Sequence, residues 1–169
     1  MATEIERKFL IEPGEWDALL RNLSGWGIAG LSCRQGYLHG CDRYAVRVQI
    51  KGPKAYFGLK ALVTMRSRLE FEYEIPVPDA EQLLSLCPGA VVEKTRYVVP
   101  FSGKQWDVDD FTGRNAGLVT AEVELESEDE AVSLPDWVGR EISDDPRYLN
   151  VNLAASPYDE WGAVPGDGC

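Results

Sequence analysis

At 169 residues the chain is long enough to bury one sizeable core and too short for two ordinary domains. A formal net charge of -11 argues against the basic face of a nucleic-acid binder and against docking on an anionic membrane, and makes divalent cations the natural partners. Cys33, Cys41, Cys87 and Cys169 are widely spaced, without a C-x-x-C pair and with only His39 to assist, so free thiols are expected rather than disulfides or a zinc site.

The amino terminus enters a polar strand pattern directly, without the basic and apolar regions of a signal peptide, and no apolar run is long enough to cross a bilayer. A cytoplasmic protein without a membrane partner is expected. The first predicted strand, residues 4–11, puts Glu4, Glu6 and Lys8 on one side and Ile5, Arg7 and Phe9 on the other. Its two carboxylates, roughly 6.5 to 7 Å apart by the strand rise, repel each other unless cations stand nearby. Pro13-Gly14 breaks the pattern, and a helix follows over 15–23 with Trp16, Leu19, Leu20 and Leu23 on its apolar side.

A strand over 31–39 turns at Gly40-Cys41-Asp42 into the clearest alternation of the chain, 43–51. There Tyr44, Val46, Val48 and Ile50 are apolar, and Arg43, Arg47, Gln49 and Lys51 polar. Strands are then expected over 55–63, with Lys60 on the less apolar side, and over 66–77, with Arg66, Arg68, Glu70, Glu72 and Glu74 on one face. Pro78 and Asp79 open a second helix over 80–86, stopped by Pro88-Gly89. Three further strands, 90–101, 104–111 and 118–126, carry Lys94 with Arg96, Asp107 with Asp109, and Glu122 with Glu124 and Glu126. A helical turn at 127–132, a short helix over 144–155 and a flexible tail over 156–169 complete the reading. Trp16, Trp26, Trp106 and Trp137 are expected in the outer core.

Eight strands in hairpin-like succession close most simply into an antiparallel β-barrel with peripheral helices, which also removes exposed edges. An ordinary barrel turns its apolar face inward. Here acids recur at i and i+2 in Glu4/Glu6, Glu70/Glu72, Asp107/Asp109 and Glu122/Glu124, while bases gather separately at Arg47, Lys60, Arg68, Lys94 and Arg96. Such segregation favours the inverse arrangement, a polar tunnel whose apolar outer face is covered by helices. Buried charges need partners. Magnesium or manganese suits the carboxylates, a polyanion suits the bases, and a phosphate chain held between them satisfies both.

The opening Glu4-Ile5-Glu6-Arg7-Lys8 resembles the E-x-E-x-K motif of the CYTH superfamily, the triphosphate tunnel metalloenzymes, and particularly its bacterial branch. Further matches follow in order: Arg34-Gln35-Gly36-Tyr37-Leu38, Lys60, Arg68-Leu69-Glu70-Phe71-Glu72, Glu93-Lys94-Thr95-Arg96-Tyr97, Asp109 with Phe111, Glu122-Val123-Glu124, and Asp145-Pro146-Arg147-Tyr148 with Asn150. The resemblance implies an eight-stranded tunnel domain over about 1–155. It also implies divalent-metal-dependent hydrolysis of a small-molecule triphosphate, and a homodimer.

Carried over by position, Glu4, Glu6, Glu70, Glu72, Asp109, Glu122 and Glu124 would hold Mg2+ or Mn2+ or position water, with Asp107 a weaker candidate. Lys8, Arg47, Lys60, Arg68, Lys94 and Arg96 would hold phosphates, and Glu4, Glu6, Lys8, Arg68 and Glu72 would carry the catalysis. One departure stands out: the family often has arginine where this chain has Gln49. Inorganic tripolyphosphate is the first substrate implied. The rivals are ATP cyclisation, as in class IV adenylate cyclases, hydrolysis of thiamine or nucleoside triphosphates, and a binding module without turnover.

Overall fold

The computed structural model describes residues 3–163. Eight strands, β1 (Thr3–Leu10), β2 (Leu31–Gly40), β3 (Tyr44–Lys51), β4 (Lys54–Leu62), β5 (Ser67–Ile75), β6 (Val92–Phe101), β7 (Lys104–Thr112) and β8 (Val119–Glu124), close into one antiparallel barrel. The order around it is β1-β5-β4-β3-β2-β6-β7-β8. All eight predicted strands are present, with four of them shortened at their ends and the others within one residue of the expected bounds. Arg66 is a case in point: it lies just outside β5 and turns to Glu141, 3.4 Å away, instead of joining Arg68.

The alternation makes two layers. Outside, α1 (Pro13–Gly25) lays Trp16, Leu19 and Leu23 over Phe9, Val99, Trp106, Val108, Ala121 and Val123. Pro13 fits the first helical turn, where its missing N–H has no partner to lose, so the helix starts before the expected boundary. Gly27, at φ 73°, follows the helix end in a left-handed conformation. Leu20 and Trp26 were expected in the core but are exposed, Trp26 by 57%, because they lie off the buried stripe and just past the helix end. α2 (Val77–Leu86), with Pro78 in its first turn, seats Ala80 and Leu84 against Val48, Ile50 and Ala55. The outer cover is incomplete, since Phe71 and Tyr73 on β5 remain exposed, Tyr73 by 66%.

The expected helix over 144–155 is split into a 3-10 turn at Pro146–Tyr148 and α3 (Asn150–Ala155). The expected helical turn at 127–132 is a single hydrogen-bonded reverse turn, Glu130 N–H to the Ser127 carbonyl at 3.2 Å. Within the stretch read as a tail, Tyr158–Ala163 forms a 3-10 helix, and Trp161 packs edge-on to Tyr148 at 5.0 Å and Tyr158 at 5.1 Å. The remainder of that stretch, 164–169, lies outside the described residues. No helix among the described residues is long and apolar enough to cross a membrane.

One element escaped the sequence reading. Residues 139–143 run along β1, with hydrogen bonds from Gly139 N–H to Leu10 O at 2.7 Å and from Ile142 N–H to Lys8 O at 2.8 Å. Outside the barrel Arg7 clamps this segment through a two-pronged bond to Glu141, at 2.9 and 2.8 Å. That bond holds the Glu141 carboxyl down at about 2, below its ordinary 4.5. Because the folded value is the lower one, the pair stabilises above pH 4.5 and loses that contribution as pH falls towards 2. Glu141 is about one-third exposed, so Arg7→Met is expected to cost less than about 1 kcal/mol at pH 7. Urea midpoints at pH 7 and pH 2 check this: the gap between variant and parent should shrink at the lower pH.

Candidate active site

The inner layer carries the charges. Alternation on β1 turns Glu4, Glu6 and Lys8 to the axis, and the register sets Glu4 opposite Arg68 on β5 and Lys8 opposite Glu122 on β8. Lys60 on β4 faces Glu70 on β5, and Arg96 on β6 faces Asp109 on β7. At Gly58 on β4, a Cβ would stand 2.5 Å from the Phe71 carbonyl oxygen, so glycine is what lets β4 approach β5 between Arg47 and Glu72.

Around the bore each base meets an acid. Lys60 Nζ lies 2.7 Å from Glu4 and 2.9 Å from Glu70. Arg47 is 2.9 Å from Glu72 and 3.7 Å from Glu70, and Lys51 is 3.8 Å from Glu72. Arg68 stands 3.5 Å from Glu6. Lys8 Nζ is 2.9 Å from Glu122 and donates to the Tyr148 carbonyl at 3.4 Å, which ties the tunnel to the turn before α3. Arg96 reaches Asp107 at 3.0 Å, Asp109 at 2.7 Å and Glu122 at 3.7 Å, while Lys94 bonds Asp109 at 2.8 Å.

Two cavities enter from opposite ends of the barrel. The first, about 420 Å3, is lined by the acids Glu4, Glu6, Glu70, Asp107, Glu122 and Glu124, interleaved with the bases Arg47, Lys51, Lys60, Lys94, Arg96 and Lys104. The second, about 410 Å3, shares Glu6, Arg47 and Lys60 with it and adds Lys8 and Arg68 among Tyr37, Tyr44, Leu62 and Leu149. Thus most of the expected site residues converge, but on two depths of one tunnel. Glu72 and Asp109 line neither cavity. They share the inward parity of Glu70 and Asp107, and there Glu72 holds Arg47 and Asp109 holds Lys94 and Arg96.

The electrostatics sort the acids further. Burial, reinforced by the Glu122 and Glu4 charges, pushes the Glu6 carboxyl up to about 7. In Glu122 burial works in the same direction, but Lys8, Arg96 and Lys94 outweigh it and hold the group well below the usual carboxylate range. Asp109 is likewise held down against burial by Arg96 and Lys94. Glu6 also lies directly opposite Glu124 in the β1–β8 register, a like-charge pair that destabilises a sheet unless a cation intervenes. Among the described residues, no three acidic, histidine or cysteine side chains converge closely enough to hold a metal as they stand.

Sequence reading passed over several lining groups. Gln35 lines the first cavity and Tyr37 the second, whereas Arg34 of the same motif points outward to Glu81. Their parity with Cys33 on β2 was the available signal. Asn150 lines both cavities.

The comparisons agree with this geometry. The chain is 44% identical to an inorganic triphosphatase of Acetivibrio thermocellus over 94% of its own length and 97% of the relative's. It is 37% identical to an inorganic triphosphatase of Nitrosomonas europaea, over 91% of this chain and 98% of that one. The solved structure of the inorganic triphosphatase NE1496 superposes with a TM-score of 0.63 at 34% identity, covering 98% of this chain and 99% of that chain. With the CYTH domain matching residues 2–156, the whole barrel and its inward charges, the chain belongs to the CYTH family.

Proposed function

We propose that this chain is a cytoplasmic triphosphatase that hydrolyses the terminal phosphoanhydride of inorganic tripolyphosphate inside the tunnel. The observation that carries the reading is a bore of about 420 Å3 lined by acids and bases that pair with one another around its wall. A phosphate chain and a divalent cation can divide that lining between them, the bases turning to phosphate oxygens and the acids to the cation. The two curated relatives, both named inorganic triphosphatase, support the same substrate.

The acids fit Mg2+ or Mn2+ by donor type, since all are hard oxygen ligands, and Glu6 stands opposite Glu124 in register, two carboxylates side by side that a cation between them would relieve. Glu4, Glu6, Glu70, Glu122 and Glu124, which line the cavity, would hold the cation. When bound, the cation offsets phosphate charge and lowers the pKa of a coordinated water. Arg47, Lys60, Lys94 and Arg96 hold and orient the phosphate chain, with Lys8 and Arg68 at the second cavity. Glu72 and Asp109 keep those bases in place by pairing with them. Water attacks the terminal phosphorus in line, the bond to the bridging oxygen breaks, and orthophosphate and pyrophosphate leave, with the water's proton passing to a lining carboxylate.

A chelator-controlled turnover assay across tripolyphosphate, ATP and thiamine triphosphate tests this. Tripolyphosphate should yield orthophosphate and pyrophosphate, lose all turnover in EDTA, and recover it on adding Mg2+ or Mn2+. Cyclic AMP from ATP would replace the reading with a cyclase. Tight, metal-independent phosphate binding without turnover would replace it with a binding module.

A further inference from the structure

Gln49 on β3 is 2% exposed and Gln35 on β2 is 1% exposed, and both line the first cavity, directly opposite each other in register. Gln49 Nε2 donates to Gln35 Oε1 at 3.0 Å, and Gln35 Nε2 donates to the Tyr37 hydroxyl at 2.9 Å. The chain of bonds runs one way and leaves Gln49 Oε1 buried with no donor. A buried acceptor without a partner is unfavourable, and natural cores rarely tolerate one outside a functional site. The unpartnered amide stands on the tunnel wall between Arg47 and Lys51, the cationic neighbours on either side of it along the same face of β3.

The defect has a built-in remedy. If both amides turn over about their outer torsions, the Tyr37 hydroxyl donates to Gln35 Oε1 and Gln35 Nε2 donates to Gln49 Oε1. Both amide oxygens then have donors, and Gln49 offers an N–H from the place now held by its orphaned oxygen. The side chains keep their shape and the strands need not move. Tyr37 sits beside the Arg47 guanidinium, so the far end of the relay rests against a phosphate-binding candidate.

We propose that Gln49, Gln35 and Tyr37 form a reversible amide relay that binds one oxygen of the substrate's phosphate chain through a neutral donor. This rests on the triphosphatase reading and deepens it. Gln49 is the binding residue; Gln35 and Tyr37 are positioning residues that set which way its amide faces. An amide fixes an oxygen by direction without adding charge, so the relay contributes alignment where an arginine would contribute attraction.

Two measurements test it on the intact protein: KM and kcat for tripolyphosphate with Mg2+, and calorimetric titration with pyrophosphate. Gln49→Leu should raise KM and weaken pyrophosphate binding about tenfold, the size of one lost hydrogen bond to a charged oxygen, with kcat changed less than about threefold. Gln35→Leu, which touches no phosphate, should shift both in the same direction, and the double variant should be no worse than Gln49→Leu alone. Gln49→Glu, which can only accept, should bind more weakly than Gln49→Leu.

The relay is overturned if Gln49→Leu leaves KM and pyrophosphate affinity within about twofold of the parent, even where its melting temperature falls, because the role is then structural. It is overturned equally if Gln35→Leu is silent, or if Gln49→Glu matches the parent. Absence of orthophosphate release by the parent would sink the triphosphatase reading instead, while the pyrophosphate titrations still judge the relay.

Discussion

Asp109→Ala is expected to destabilise the fold by about 3–5 kcal/mol and to lower the melting temperature by roughly 10 °C. Asp109 is fully buried, and its two oxygens take bonds from Lys94 at 2.8 Å and from Arg96 at 2.7 and 2.8 Å. The Lys94 side chain is itself only 1% exposed, and burial already pulls its pKa down despite Asp109. Removing the carboxylate strands that ammonium in a dry wall. Arg96 keeps Asp107 and Glu122, so the loss falls mainly on Lys94. Urea unfolding followed by circular dichroism measures the change. Pairing Asp109→Leu with Lys94→Met should recover much of it, since removing both ends leaves no unpaired charge. If the double variant is as unstable as Asp109→Ala, the triad matters through shape rather than charge.

The barrel was legible because period two is a property of each strand alone. Glu4, Glu6 and Lys8 share a face by geometry, as do Lys94 with Arg96 and Glu122 with Glu124, and segregation of charge told which face was inside. Depth along the axis was not legible. It depends on register and shear between strands, so no reading of β7 by itself could place Asp107 at the cavity and leave Asp109 fully buried outside its lining. For the same reason Glu72 looked equivalent to Glu70, although the register sets it level with Gly58 and Arg47, to which it binds, and outside the cavity lining. The segment at 139–143 carries no alternation of its own; β1 and the Arg7–Glu141 clamp make it strand-like. Gln49 read as a missing arginine, because the sequence cannot show that Gln35 stands across from it.

Glu6→Gln should cut tripolyphosphate turnover by at least about a hundredfold while making the protein more stable above neutral pH. The carboxyl faces Glu122, Glu4 and the opposed Glu124, with Lys8, Lys60 and Arg68 as the cations nearby, and its pKa rises from 4.5 to about 7. Since the folded value exceeds the unfolded one, the folded state binds the proton more tightly. Stability therefore falls as pH rises from 4.5 to about 7, and is flat beyond. Glutamine has nothing to titrate. In chelating buffer the variant should match its parent near pH 4 and exceed it by roughly 3 kcal/mol at pH 8, as read from paired urea melts. A variant less stable at pH 8 would show that Arg68 and Lys8 already satisfy the carboxylate. Lost turnover together with gained stability is what distinguishes an acid kept for its ligand from one kept for the fold, because an acid crowded against other acids persists only where something bound to it repays the repulsion.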